Sequence, residues 1–197
     1  MTSRRSPGPR RLPRARAGYS MAEMLVVIVI IGIAAAMTVP KLDSSGRQAA
    51  AAGQVAGVTL VAAQRAAVSR QHDVVVAVDV NTRALRVHYD ADGNGRINGS
   101  EIVRTERLGE GAVFGRGSAP AWLPGTADVS FTGRQDGMPA ITFHRSGSAS
   151  EEGGFYVTSA RGRAGGRATH ARSVVVDRAT GRPGWASYTG TEWKRDF

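Results

Sequence analysis

The sequence predicts an α+β protein, with one long N-terminal α-helix that is apolar in its first half and amphipathic in its second, followed by an antiparallel β-sheet globular domain. Three observations predict it. From Met24 to Val39 the chain reads MLVVIVIIGIAAAMTV, with no charge and with Thr38 as the only polar residue. Behind Pro40 an alanine-rich stretch runs to about Arg70 with apolar residues at helical spacing. From Val74 onward, short β-branched runs alternate with Gly- and Pro-containing connections.

The first element is preceded by a basic leader, residues 1–18. The 197 residues carry 26 Lys+Arg against 16 Asp+Glu, a formal charge of +10. Six of those charges are Arg4, Arg5, Arg10, Arg11, Arg14 and Arg16, placed ahead of the apolar run with no acid among them, which leaves +4 for the rest. A basic segment directly before a hydrophobic stretch keeps its end of the chain in the cytoplasm, so the high charge is mainly a topology signal and not a nucleic-acid signal. Residues 19–40 then form the apolar segment. At about 1.5 Å per residue, 21 residues from Tyr19 span roughly 30 Å, enough to cross a bilayer once. In lipid every backbone N–H and C=O must be satisfied within the segment, which makes it a helix despite its Val and Ile content.

Glu23 stands at the edge of this run, where an ionised, unpaired carboxylate costs a few kcal/mol. A cut after Gly18 would give Tyr19 a positive α-amino group four residues before Glu23, and the two charges would neutralise one another within or between helices. The run from Gly18 through Ala36, with Glu23 five residues after the Gly, resembles the class III signal of type IV prepilins. That resemblance implies a pilin-like fold, cleavage by a prepilin peptidase between Gly18 and Tyr19, N-methylation of Tyr19, and Glu23 as the carboxylate that aligns incoming subunits. It also implies a kink at Pro40, other pilins or pseudopilins as partners through the N-terminal helix, and an inner-membrane protein that later joins a filament. In that topology the N-terminus is cytoplasmic and the globular domain periplasmic. Tyr19 stands where the family usually has Phe, and the leader is long and rich in Pro and Arg. A second reading takes Ala34-Ala35-Ala36 as an A-x-A signal-peptidase site releasing a soluble protein from Met37; the position of Glu23 speaks against it.

Residues 41–71 are expected to continue the helix, with Ala51, Val55, Val58, Val61 and Ala62 as the stripe that packs on a sheet. Gly46, Gly53 and Gly57 each cost roughly 1 kcal/mol in an exposed helix, so a kinked or partly melted segment is expected. Residues 72–197 form the β-rich domain, with strands expected at 74–80, 85–89, 101–108, 128–132, 140–144, 154–159, 172–177 and 185–188, the first two joined by a turn at 81–83. Ile141-Thr142-Phe143 with Gly147, and Val174-Val175-Val176 with Thr180-Gly181-Arg182, resemble the secretion-pathway protein H and minor-pilin subgroup.

Residues 90–101 fit the twelve-position calcium loop, with Asp90, Asp92, Asn94, Arg96, Asn98 and Glu101 at the ligand positions and Gly95 at the sharp turn. The strand-like flanks exclude an EF-hand, and the alternative is a polar hairpin loop built on Asp-Gly and Asn-Gly turns. Calcium is the one candidate ion, and no other cofactor is expected. Without cysteine there is neither a thiolate site nor a cysteine nucleophile, and His72, His88, His144 and His170 lack metal-ligand spacing. His88 and His144 read as ordinary half-buried strand residues, and the protein as a non-enzyme. Arg161, Arg163, Arg167 and Arg172, continued by Arg178 and Arg182 and accompanied by Trp185, Tyr188 and Trp193, form a basic C-terminal region. Some minor pilins of the subgroup resemble DNA-uptake receptors, so DNA binding by this region is the rival to a role in secretion or pilus assembly, against a plainly solvated surface.

Overall fold

A computed structural model of the chain describes residues 18–38 and 44–196, which divide into two units on either side of residue 43. The leader, Pro40 and the link between the two expected halves of the helix lie outside the described residues. The first unit contributes α1, Met21–Thr38, eighteen residues long. Ser20 starts it: its carbonyl accepts from the N–H groups of Glu23 and Met24 at 3.0 and 3.2 Å, and its hydroxyl accepts from Ala22 N–H. Leu25, Ile28 and Ile31 are all more than half exposed, and apolar side chains point to every side. Among the described residues no helix is long and apolar enough to cross a membrane; the expected span, 19–40, runs past the described end of α1.

The second unit begins with α2, Ser45–Arg70, which ends at Gln71 in the left-handed conformation (φ 59°). Ten strands follow: β1 Asp73–Asp79, β2 Ala84–Asp90, β3 Ile102–Arg107, β4 Ala112–Phe114, β5 Arg134–Gln135, β6 Met138–Phe143, β7 Gly153–Ser159, β8 Arg172–Val176, β9 Pro183–Tyr188 and β10 Trp193–Asp196. A short helix, α3 Ala160–Ala164, and a 3-10 turn, Ala168–His170, separate β7 from β8. The strands form two five-stranded antiparallel sheets, ordered β3-β2-β1-β6-β5 and β10-β9-β8-β7-β4, where the sequence predicts one. The β1–β2 turn is the expected one, with Asp79 Oδ1 accepting from the N–H groups of Asn81 and Thr82. Residues 128–132 are not a strand. They make a single bridge, Val129 to Phe155, on the stretch of the β7 edge that β4 leaves uncovered.

The core lies between α2 and both sheets. Val74, Val76 and Val78 share one face of β1 and meet Leu85, Ile141, Phe143, Phe155, Val157 and Val174 there. Phe114 and Phe155 pack edge to face at 5.4 Å. The face that α2 buries is not the expected stripe. Ala49, Ala52, Ala56, Leu60, Ala63 and Ala67 are buried with Gly53 and Gly57, while Val55 and Val58 are 42% and 57% exposed and Ala51 and Ala62 are exposed. The cause is spacing: at Gly57 a Cβ would run into the Trp185 indole, and at Gly53 it would lie 3.3 Å from Arg172 Cβ, so glycine is required at 57 and a small residue at 53. The same contacts explain why α2 is continuous through its glycines, since close approach to the sheet offsets their propensity cost.

Candidate functional site

The predicted processing positions, Gly18 and Tyr19, stand with Ser20 outside helical structure ahead of α1. Tyr19 is 78% exposed and the space around Gly18 is open. A peptide bond in this state is accessible to a peptidase, whereas one inside α1 would first have to unwind. Glu23 lies in the first turn of α1, where the helix dipole favours a carboxylate.

The loop between β2 and β3 brings three of the predicted calcium ligands together. One carboxylate oxygen each of Asp90, Asp92 and Glu101 lie within 4.8 Å of one another. Oxygens across a cation with bonds of 2.3–2.6 Å stand about 4.6–5.2 Å apart, so this donor set has the size and hardness that calcium requires. Asp90, 3% exposed, accepts from the N–H groups of Asn94 and Gly95 at 3.1 and 2.8 Å. Asp92 Oδ2 accepts from the side-chain amides of Asn94 and Asn98, both at 2.7 Å. The two asparagines thus tie the loop with their N–H groups, and Arg96 donates its N–H to Asn94 Oδ1. Gly95 takes φ 70°, the left-handed turn its position calls for.

Glu101 is held from the domain interior. Its side chain is 2% exposed, its Oε1 accepts from Ala91 N–H at 2.9 Å, and its Oε2 accepts from Asn98 N–H at 3.1 Å and meets His88 Nε2 at 2.8 Å. The His88 contact, helped by those two N–H donors and opposed by burial, keeps the Glu101 carboxyl below its ordinary 4.5. On its other side His88 Nδ1 faces Gln135 Nε2 at 2.7 Å, so a Gln135 amide donating to Nδ1 leaves Nε2–H to donate to Glu101. His88 is therefore wholly buried and part of a three-residue chain, not the ordinary half-buried residue its strand position suggests. His144, just beyond β6, pairs with Asp73 Oδ2 at 2.9 Å. No spacing in the sequence links positions 88, 101 and 135, which lie on β2, immediately ahead of its partner β3, and on β5.

The basic region does not form one patch. Arg161 and Arg163 lie on α3, Arg167 before the 3-10 turn and Arg172 at the start of β8, while Arg178 and Arg182 lie in the turn at the far end of that strand, about 17 Å away along five residues. Arg163 donates to Phe114 O and approaches Asp128 at 3.9 Å, and Arg172 donates to the carbonyls of Thr169 and Ala171. Trp185 is not available for base stacking, since its indole packs on Gly57 and its Nε1 is buried. Trp193 stacks on Trp122 at 5.9 Å and contacts Tyr156 and Tyr188, and Arg195 lies over Trp122. Tyr156 Oη fixes this cluster by accepting from the N–H groups of Trp122 and Leu123, both at 2.6 Å. A Ser–His contact that no sequence spacing announced, Ser159 Oγ to His170 Nδ1 at 2.8 Å, is a helix cap and not a nucleophile: Ser159 is fully buried and accepts from Gly162 N–H.

The described residues thus comprise an N-terminal apolar helix and an α+β domain. Residues 13–39 match the prokaryotic N-terminal methylation motif. The chain is similar to two solved structures of the minor pseudopilin EpsH from the type 2 secretion system of Vibrio cholerae. One is 14% identical, covering 74% of this chain and 99% of that one with a TM-score of 0.44; the other is 15% identical, covering 76% and 93% with a TM-score of 0.36. No curated protein matches the chain.

Proposed function

We propose that this chain is a structural subunit of a type II secretion pseudopilus or a related type IV pilus, with no enzymatic activity of its own. The observation that carries the reading is the methylation motif over residues 13–39. In this reading a prepilin peptidase of the inner membrane cuts between Gly18 and Tyr19, Tyr19 is N-methylated, and the apolar helix holds the subunit in the membrane with its globular domain in the periplasm until it joins other pilins. Glu23 then pairs with the new amine of Tyr19 in its own or a neighbouring helix, because an unpaired charge in an apolar bundle is strongly destabilising. Mass spectrometry of the N-terminal peptide tests this directly: a chain starting at methylated Tyr19 is expected, and a chain starting at Met37 would replace the reading with a soluble secreted protein.

A second reading concerns the loop, and the convergence of Asp90, Asp92 and Glu101 favours it. Asp90, Asp92 and Glu101 would hold a calcium ion through carboxylate oxygens, with Asn94, Asn98 and the Arg96 carbonyl completing the shell. Binding to the folded state alone stabilises it by mass action. Melting with calcium and with chelator is expected to differ for the wild type and to coincide for Asp92→Ala; coincident wild-type curves leave the loop as a turn tied by its own N–H groups.

A further inference from the structure

Of the strands that border the two sheets, β3 is the longest. It has six residues, against two in β5, three in β4 and four in β10. Short edges resist pairing with another chain, whereas a long, regular one is a template for it. On its inner side β3 pairs with β2 over its whole length, and on its outer side no strand lies among the described residues. Every residue of β3 except Val103 is exposed.

The phase of the ladder determines which backbone groups face outward. Leu108, one residue beyond β3, donates its N–H to Arg83 O at 2.8 Å. Bonded pairs alternate along an antiparallel ladder, so positions 106, 104 and 102 also turn their N–H and C=O groups to β2. Val103, Thr105 and Arg107 turn theirs to the open edge. The side chains of Arg104 and Glu106 stand on the face that Val87 shares with α2, and they line a groove with Val55 and Val58. Among the described residues neither has an ion-pair partner, and the Arg104 guanidinium lies over the Tyr89 ring at 5.8 Å.

A second copy of β3 laid antiparallel on this edge has few registers open to it. Outward-facing residues must oppose one another, so the pair centres on position 104, 105 or 106 if most of the strand is to overlap. Centring on 104 sets two arginines face to face, and centring on 106 sets two glutamates. Centring on Thr105 sets Arg104 of each copy opposite Glu106 of the other, and bonds Thr105 to Thr105 and Val103 to Arg107 through their outward groups. Opposite charges directly across a ladder stabilise it and like charges destabilise it. The strand is therefore complementary to itself in one register, which points to a second copy as its occupant.

We propose that β3 pairs antiparallel with β3 of a second copy of this chain, about a two-fold axis through Thr105, joining their sheets into one. The axis runs perpendicular to the sheet, so both α2 helices lie on the same face of it. The chain has no cysteine, so single cysteines report the register. In the full chain in detergent, Thr105→Cys is expected to form an intermolecular disulfide under mild oxidation, because a bonded pair brings the Cα atoms to about 5.5 Å. Val103→Cys is expected to cross-link at least tenfold less, since in this register the two copies of that position stand roughly 14 Å apart. Adding Glu106→Arg to Thr105→Cys should lower the disulfide yield at least fivefold, and adding Arg104→Glu as well should restore it, with circular dichroism unchanged throughout. Equal yields at 105 and 103 mean collision or pairing through another surface and overturn the proposal, as does a charge swap without rescue. A Thr105→Cys chain that links in its native membrane to a different polypeptide and not to itself assigns the edge to another partner, and also overturns it. None of these outcomes bears on cleavage after Gly18, so failure here leaves the reading of the N-terminal segment standing.

Discussion

His170 and Glu101 contribute to the domain's response to acid in different pH ranges, and Asp79, Glu151 and Asp177, also held below their ordinary values, share the lower one. His170 is held below its ordinary 6.5, first by burial and then by Arg167 and Arg172. A histidine depressed in the folded state contributes stability that is present above 6.5 and lost as pH falls through its lower folded value. Glu101, held below 4.5 chiefly by His88, contributes stability that is present above 4.5 and lost as pH falls through its own folded value. The melting temperature is therefore expected to fall in two stages on acidification. His170→Gln should flatten the upper stage and Glu101→Gln the lower one, each measured as Tm against pH; a histidine variant with an unchanged upper stage would refute the assignment. His88→Ala should lower Tm further than Gln135→Ala, because it deprives both the Glu101 carboxylate and the Gln135 amide of their partner, whereas Gln135→Ala leaves only an imidazole nitrogen unpaired. Neither group could be ranked from the sequence: His88 meets its carboxylate only through the pairing of β2 with β3, and although Arg167 and Arg172 stand close to His170 in the chain, the burial that acts on it first comes from the fold.

At the scale of elements, legibility followed the type of burial. The β1–β2 hairpin was readable because a β-branched run and a second apolar run flank a turn whose Asp79 cap is local. The inward face of α2 was not, because it is selected by fit. Hydropathy points to Val55 and Val58, whereas the face against the sheets is built of Ala and Gly with Leu60 as its one large residue, and the valines instead line an open groove of about 550 Å³ with Val87, Tyr89 and Arg104. Gly57→Ala is accordingly expected to destabilise the domain by about 1–3 kcal/mol although alanine is the better helix former. Val58→Ala should cost much less. Equal denaturation midpoints for Gly57→Ala and the wild type would mean that Trp185 can move aside. The division into two sheets was equally out of reach, since β6 pairs with β1 more than sixty residues away and the strand that joins β4 to its sheet, β7, comes some forty residues later.

For the molecule as a whole, the N-terminal segment was the most legible part of the chain, because one carboxylate at a fixed distance from a Gly and an apolar run is a local pattern. Glu23→Ala is expected to leave processing after Gly18 intact and to reduce incorporation into filaments, read as the ratio of processed to assembled subunit. Equal incorporation of wild type and variant would remove Glu23 from any docking role. The globular domain offered less, since its calcium-loop positions are sequential but the contacts behind them, from His88 to Glu101 and from Gln135 to His88, join positions with no sequence pattern.

The small-residue face of α2 also determines how this sequence can drift over time. Positions 49, 52, 53, 56, 57, 63 and 67 are confined to glycine, alanine or a residue of similar size by the sheet beneath them, while the greasier positions on the outer side answer only to whatever covers the groove. A saturation-mutagenesis profile of the helix should thus be inverted relative to its hydropathy plot, intolerant at the alanines and permissive at Val55 and Val58. Distant relatives aligned by their large apolar residues would then be set in the wrong register, while those aligned by their small ones would superpose.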